Sequence, residues 1–141
     1  MPALSTLLYA ESRLRRAMHA AALLIFAGIV IAGSMPGARA EVGEYASGLV
    51  LHSLAYASLA TLWFLGSSGS GLQRALKAVL AIALMGAIDE GVQHFLPYRS
   101  GTVHDWLVDV SAATVAATLL AMLVARLPMP DALRPAPVRP R

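Results

Sequence analysis

The sequence contains no cysteine and few charged residues. Without cysteine the chain can form no disulfide bond, no thiolate metal site and no cysteine nucleophile. It also lacks a glycine-rich phosphate loop and the residue spacing of a zinc finger. Charged residues make up 13% of the chain and hydrophobic residues 57%, whereas soluble proteins contain roughly 25% charged residues. This balance predicts an integral membrane protein.

Four apolar segments dominate the sequence, and each approaches the ~20 residues that a membrane-spanning helix requires. They cover about residues 17–34, 46–66, 76–96 and 103–127. The third is expected to stop before Pro97, because proline disfavours helical backbone at the residue that precedes it. We therefore predict an all-α fold, a four-transmembrane-helix bundle in a membrane domain of residues 17–127, with the lipid bilayer as its partner.

The distribution of lysine and arginine predicts how this bundle is oriented. Of the 11 such residues, all but Arg39 and Arg99 lie on one side of the predicted bundle. Because positive residues accumulate in cytoplasmic loops, we expect an N-in/C-in topology, with a cytoplasmic segment of residues 1–16. The proline- and arginine-rich tail, residues 128–141, is predicted to be cytoplasmic and disordered. Topology then explains the net charge of +3, and no nucleic-acid partner is expected.

A cleavable signal peptide is the alternative interpretation of the first apolar segment. An arginine-rich flank, an apolar run and the sequence Ala38-Arg39-Ala40 fit that pattern, with cleavage before Glu41. The apolar run is long for a signal peptide, however, and cleavage would leave only three spans. We therefore expect the segment to be retained as a span.

Ionisable residues occur inside three of the predicted spans, where each charge costs about 2.5–3.5 kcal/mol on insertion scales. His52, Glu90 and Asp109 each lie six residues from the outer end of the second, third and fourth span, respectively. At 1.5 Å per residue, all three would lie about 9 Å below those ends. The sequence thus predicts one polar layer to which three helices each contribute a residue.

Further polar residues surround this layer. Gln93 and His94 lie one helical turn nearer the outside in the third span, and Asp105 does so in the fourth. Tyr56 lies one turn deeper in the second span, and Arg99 belongs to the connector above. Together with the polar layer, these five residues form a predicted ligand-binding site that opens outward.

The simplest hypothesis for this site is recognition of a polar head group. Arg99 would contact an anionic group, and the carboxylates would accept hydrogen bonds from sugar or amine groups. A purely structural role is the alternative. Glu90 and Gln93 would then hold helices together through hydrogen bonds, and Asp105 would form a capping box with Thr102.

Two chemical alternatives follow from the same residues. Glu90, His94, Asp105 and Asp109 are candidate ligands for a divalent ion, because imidazole and carboxylate groups suit zinc or manganese. The Glu-x-x-x-His spacing is not specific for a metal, so a divalent metal is not favoured and the cofactor is left unassigned. As candidate catalytic residues, Glu90, His52 and Asp105 would perform acid–base chemistry on a lipid-linked substrate, although the sequence offers no obvious nucleophile.

The pattern of these residues resembles the VanZ-like family of small bacterial membrane proteins. The matching features, within about residues 46–120, are His52 with Tyr56, Glu90 with Gln93, the turn Phe95-Leu96-Pro97-Tyr98-Arg99, and Asp105. Three features differ: Gly48-Leu49 stands where the family has Asp-Lys, Asp109 stands where it has Asn, and Ala112 stands where a Gly usually follows. The resemblance implies a multi-pass protein of the bacterial cytoplasmic (inner) membrane. Because the family's namesake is linked to glycopeptide resistance, it also implies a role in the cell envelope or in antibiotic resistance.

The resulting prediction is a VanZ-like membrane protein whose outward-facing polar site binds a cell-envelope head group or a glycopeptide-type ligand. Its partners would be the bilayer and a lipid-linked or cell-wall ligand on the outer side. The alternative is a membrane enzyme that acts on a lipid-linked substrate by acid–base or metal-assisted chemistry. The residues alone favour neither a binding protein nor an enzyme decisively.

Overall fold

Helices make up most of the chain that the structure describes. The structure is a computed structural model, and it describes residues 12–127, without the side chains of residues 39, 40 and 42. Five helices follow one another: α1 (Ser12–Gly33), α2 (Ala38–Gly43), α3 (Gly48–Gly66), α4 (Gly71–His94) and α5 (Val103–Arg126). Residues 12–127 contain no β-strand, which confirms the all-α prediction. The predicted tail, residues 128–141, and residues 1–11 of the predicted N-terminal segment lie outside the described residues.

Three of the long helices have the dimensions of membrane spans. Helices α1, α3 and α5 contain 22, 19 and 24 residues, and all three are long and apolar enough to cross a bilayer. They correspond to the first, second and fourth predicted spans. Helix α4 also contains 24 residues, but it carries two adjacent acidic residues, Asp89 and Glu90. Its role as a further span stays a prediction.

Helix α4 begins earlier than the predicted residue 76, because a capping box starts it. The backbone N–H of Ser70 donates to Gln73 Oε1 at 2.9 Å, and the N–H of Gln73 donates to Ser70 Oγ at 3.3 Å. Two backbone N–H groups that lack partners within the helix thereby gain hydrogen-bond acceptors. As a result, both Arg74 and Lys77 belong to the helix, whereas the predicted third span began between them, at residue 76.

Two of the three helix ends nearest the polar residues differ from the predicted ones by two residues. Helix α3 begins at Gly48 instead of residue 46, and the side chain of Ser47 caps it by accepting a hydrogen bond from Val50 N at 3.4 Å. Helix α4 ends at His94 instead of residue 96. The start of α5 at Val103 agrees with the prediction. A two-residue difference moves a helix end by only about 3 Å.

Helix α3 is the central helix of the bundle and contacts α1, α4 and α5. Its residues Tyr56, Leu59, Ala60 and Phe64 are fully buried. Small or aliphatic side chains face them, namely Ala78, Ile82 and Met85 of α4 and Ala113 and Ala117 of α5. Alanines at a helix contact allow the backbones to approach closely, which is how helices associate in lipid.

The polar residues collect at one end of the bundle, which we call the site end. There α1 and α4 end, and α3 and α5 begin. The connector of residues 95–102 crosses this end and is fixed to α1, because Tyr98 Oη donates a hydrogen bond to the carbonyl of Ser34 at 2.6 Å. The connector thus holds Arg99 over the space between the helices.

Candidate functional site

Three helices deliver one ionisable side chain each to a single layer below the site end. His52 Nδ1 of α3 lies 2.9 Å from Asp109 Oδ1 of α5. Potential ligand atoms of His52, Glu90 and Asp109 all lie within 4.8 Å of one another. His52 and Glu90 are four residues from their helix ends and Asp109 six, which corresponds to a depth of about 6–9 Å. The structure therefore brings together the three residues of the predicted polar layer.

Glu90 also joins the end of α4 to the start of α5. Its Oε2 atom accepts a hydrogen bond from the backbone N–H of Thr102 at 2.7 Å. The hydroxyl of Thr102 in turn accepts a hydrogen bond from the N–H of Asp105 at 3.0 Å. In the predicted capping box, the carboxylate of Asp105 would have accepted the Thr102 N–H. Glu90 of the neighbouring helix α4 accepts this N–H instead. Its carboxylate therefore both caps α5 and belongs to the polar layer.

Tyr56 and Asp89 form a second buried pair next to this layer. Tyr56 Oη donates to Asp89 Oδ2 at 2.9 Å, and both side chains are almost completely buried. The ring of His52 stacks on Tyr56, with 6.0 Å between ring centroids and planes 13° apart. Asp89 was not among the predicted site residues. Its spacing of four residues from Gln93, which places both on one helical face, was the signal that could have identified it.

A cleft of about 270 Å³ lies between α1, α3 and α4. Its apolar walls include Ile29, Ala32, Leu51 and Ala55, and its polar end is formed by His52, Tyr56, Asp89, Gln93 and Arg99. Arg99 Nη2 donates to Gln93 Oε1 at 2.6 Å, which orients the guanidinium over this end. Four of the eight predicted ligand-binding residues thus line one cleft: His52, Tyr56, Gln93 and Arg99. Glu90 and Asp109 lie behind it.

Two predicted site residues do not belong to the three-residue layer. His94 is exposed, and its ring meets the edge of Phe95, with 5.9 Å between centroids. Asp105 pairs with the exposed His104, with 3.7 Å between His104 Nδ1 and Asp105 Oδ1. Neither belongs to the three-residue group with metal-ligand distances that occurs within residues 12–127. That group consists of His52, Glu90 and Asp109. The sequence had suggested His94 and Asp105 as the metal ligands beside Glu90 and Asp109.

Several buried polar atoms of the site have no hydrogen-bond partner within the described residues. They are Asp89 Oδ1, Glu90 Oε1, Asp109 Oδ2 and Arg99 Nε. More than nine in ten buried polar groups in proteins are paired, so each unpaired one requires an explanation. Here three carboxylates each use one oxygen inside the protein, to Tyr56, Thr102 or His52, and leave the other unused. This concentration marks the site as a place where further polar groups can bind.

The phenol of Tyr56 should contribute strongly to stability. Replacing Tyr56 with phenylalanine keeps the ring but leaves Asp89 without its donor, which typically costs about 1–3 kcal/mol. We expect the free energy of unfolding, measured by denaturing titration in mixed detergent micelles, to fall by this amount. The matched variant Tyr45→Phe, at a residue that is 89% exposed, should leave it unchanged. Equal stability of the two variants would show that the buried bond is energetically neutral.

A guanidinium, one carboxylate, an imidazole and a phenol stand at the end of the apolar cleft, and the carboxylates of Glu90 and Asp109 lie behind them. Such a set can bind an anionic group, accept hydrogen bonds from donors, or hold a cation. The apolar walls suit a ligand that is itself partly apolar. The chain matches no protein-family model, no curated protein and no solved structure.

Proposed function

We propose that this chain is a VanZ-like protein of the bacterial inner membrane and that its cleft binds the polar head of an envelope lipid. The observation that carries the proposal is the cleft itself. Its walls are apolar, and its end presents Arg99 and Asp89, each with a buried polar atom that lacks a partner within residues 12–127. An amphipathic ligand matches this division between apolar wall and polar end.

Membrane insertion of all four long helices is part of the proposal. Leu72, Leu76, Leu80 and Leu84 recur every four residues on α4, and each is more than half exposed. They form a stripe that suits contact with lipid. The acidic residues of α4 are buried inside the bundle instead, which is where charged side chains lie in membrane helices. With four spans both termini lie on one side, and because all lysines and arginines except Arg39 and Arg99 lie on that side, it is the cytoplasmic one and the site end faces outward.

The two charges at the cleft favour a zwitterionic head group. The guanidinium of Arg99 is suited to a phosphate, which it can contact with two parallel N–H groups. The free Oδ1 of Asp89 can accept a hydrogen bond from an amine or hydroxyl. The volume of about 270 Å³ lies just below the 300–1,000 Å³ of sites for drug-sized ligands. A lipid head group therefore fits better than an intact glycopeptide.

Short-chain phospholipids provide the test. Binding of dihexanoyl phosphatidylethanolamine to the detergent-purified full chain is measured by calorimetry, with a neutral diacylglycerol as the head-group control. Arg99→Gln should weaken binding roughly tenfold or more, because a charge-assisted hydrogen bond is worth about 1.5–3 kcal/mol. Arg126→Gln, an exposed residue at the opposite end of α5, is the matched control and should bind as the wild type does.

Three results would contradict the proposal. The first is absence of phosphatidylethanolamine binding, and the second is equal binding of the diacylglycerol. The third is equal weakening by the two arginine variants, which would indicate a general charge effect and not contact within the cleft. If a glycopeptide bound and competed with the phospholipid, the cleft would still be the binding site, but its ligand would be a glycopeptide.

A further inference from the structure

The layer behind the cleft has the composition of a metal site. His52, Glu90 and Asp109 come from three different helices, and their potential ligand atoms lie within 4.8 Å of one another. Asp109 is fully buried and Glu90 is 8% exposed. The three side chains are held by a packed scaffold of helices, so they lie close together before any ion binds.

We propose that His52, Glu90 and Asp109 bind one divalent transition-metal ion, zinc or manganese. Ligands at about 2.1 Å from such an ion lie about 3–4 Å from one another. The observed group therefore needs only small side-chain movements to reach a bonding arrangement. One imidazole and two carboxylates suit zinc and manganese, whereas calcium and magnesium prefer sites built from oxygen alone.

The unpaired oxygens are an independent observation that points to a cation. Glu90 uses Oε2 to accept the Thr102 N–H and leaves the buried Oε1 free. Asp109 uses Oδ1 to contact His52 and leaves the buried Oδ2 free. These two oxygens, each on a side chain more than nine-tenths buried, are the acceptors that an ion can use. The bond from Thr102 fixes the orientation of Glu90 in the way that outer-shell partners orient metal ligands.

Charge balance also favours an ion. Neither Glu90 nor Asp109 forms an ion pair with a lysine or arginine among residues 12–127. Charges inside a membrane helix are usually paired or face a cation. A divalent ion would offset the negative charges of both carboxylates. The half-buried His52 can offset them only in part. Glu90 and Asp109 do not line the cleft, whereas His52 belongs to both the cleft and the layer. The variant Glu90→Gln therefore tests metal binding without altering a residue that lines the cleft.

The test uses the full chain purified in detergent and stripped with a chelator. After equilibration with Zn²⁺ or Mn²⁺ and removal of free ions, elemental analysis should find one ion per chain. His52→Gln and Glu90→Gln should each lower the affinity by about 100-fold or more. The matched control is His104→Gln, an exposed histidine outside the group, which should retain full affinity. Ca²⁺ and Mg²⁺ should bind at least ~100-fold more weakly than Zn²⁺.

Pulsed electron paramagnetic resonance of Mn²⁺ in the wild-type chain provides a readout that does not depend on the variants folding. Coordination by His52 should appear as hyperfine coupling to one imidazole nitrogen. Absence of a bound ion, absence of nitrogen coupling, or unchanged affinity in folded His52→Gln and Glu90→Gln would each overturn the proposal. Loss of metal binding with intact phospholipid binding would leave the proposed function of the cleft untouched.

Discussion

Replacing Gly101 with alanine is expected to lower the free energy of unfolding by about 3 kcal/mol or more, among the largest effects of a single methyl group. Gly101 lies in the connector directly against the last turns of α4. A Cβ atom there would overlap the carbonyl oxygen of Glu90 and lie 3.0 Å from Glu90 C and 3.1 Å from His94 N. All three are backbone atoms, so no side-chain rotation can relieve the clash.

Any relief must come from movement of the connector, and this affects the site. The neighbouring residue, Thr102, donates its N–H to Glu90 and caps α5 through its hydroxyl. Displacing it would remove both the cap, worth about 1 kcal/mol, and the bond that orients Glu90. Gly101→Ala should therefore also weaken binding of zinc or manganese. Unfolding by sodium dodecyl sulfate in mixed micelles measures the first effect, and elemental analysis measures the second.

Gly91→Ala is the matched control, because it makes the same chemical change within α4. A Cβ at Gly91 would meet nothing within 4 Å. Alanine is favoured over glycine inside a helix by about 0.8–1.0 kcal/mol, so this variant should be as stable as the wild type or slightly more so. If Gly101→Ala were as stable as Gly91→Ala, the close approach of the connector to α4 would make no contribution to the free energy of unfolding.

The depth of the polar residues could be predicted from the sequence because depth depends only on counting along helices. Two of the three helix ends were placed two residues away from their observed positions, at Gly48 and His94. Each shift corresponds to about 3 Å, which is less than one helical turn. His52, Glu90 and Asp109 consequently still fall in one layer.

The direction in which each side chain points could not be obtained in the same way. Neighbouring residues on a helix differ by about 100° around its axis, so Asp89 and Glu90 must face different partners. Which of them faces α3 and which faces α5 depends on how α4 is rotated, and packing sets that rotation. Asp89 contacts Tyr56 of α3, and Glu90 contacts the start of α5. His94 shares a helical face with Glu90, but it is the last residue of α4 and is exposed.

Replacing His52 with leucine is expected to lower the free energy of unfolding by about 3 kcal/mol, the upper end of the cost of leaving a buried polar group without its hydrogen-bond partner. Asp109 is fully buried, and His52 supplies its one hydrogen bond within the described residues. Leucine has a similar size but leaves the carboxyl without that partner. The double variant His52→Leu/Asp109→Leu removes both polar groups, and replacing both partners of a buried hydrogen bond by apolar groups can be nearly neutral. It should therefore recover most of the loss.

The quantity that decides this prediction is the coupling energy between the two positions, obtained from the four stabilities of a double-mutant cycle. For His52 and Asp109 we expect a coupling energy of at least ~2 kcal/mol in the presence of a chelator, so that no ion contributes.

His104 and Asp105 provide the control, since their atoms are 3.7 Å apart and their side chains are 80% and 26% exposed. Exposed pairs couple by about 0.2–1 kcal/mol. Equal coupling in the two cycles would contradict the role assigned to burial. A large coupling confined to the buried pair would mean that Asp109 requires a cationic or hydrogen-bonding partner, which is the property that a metal ion would also satisfy.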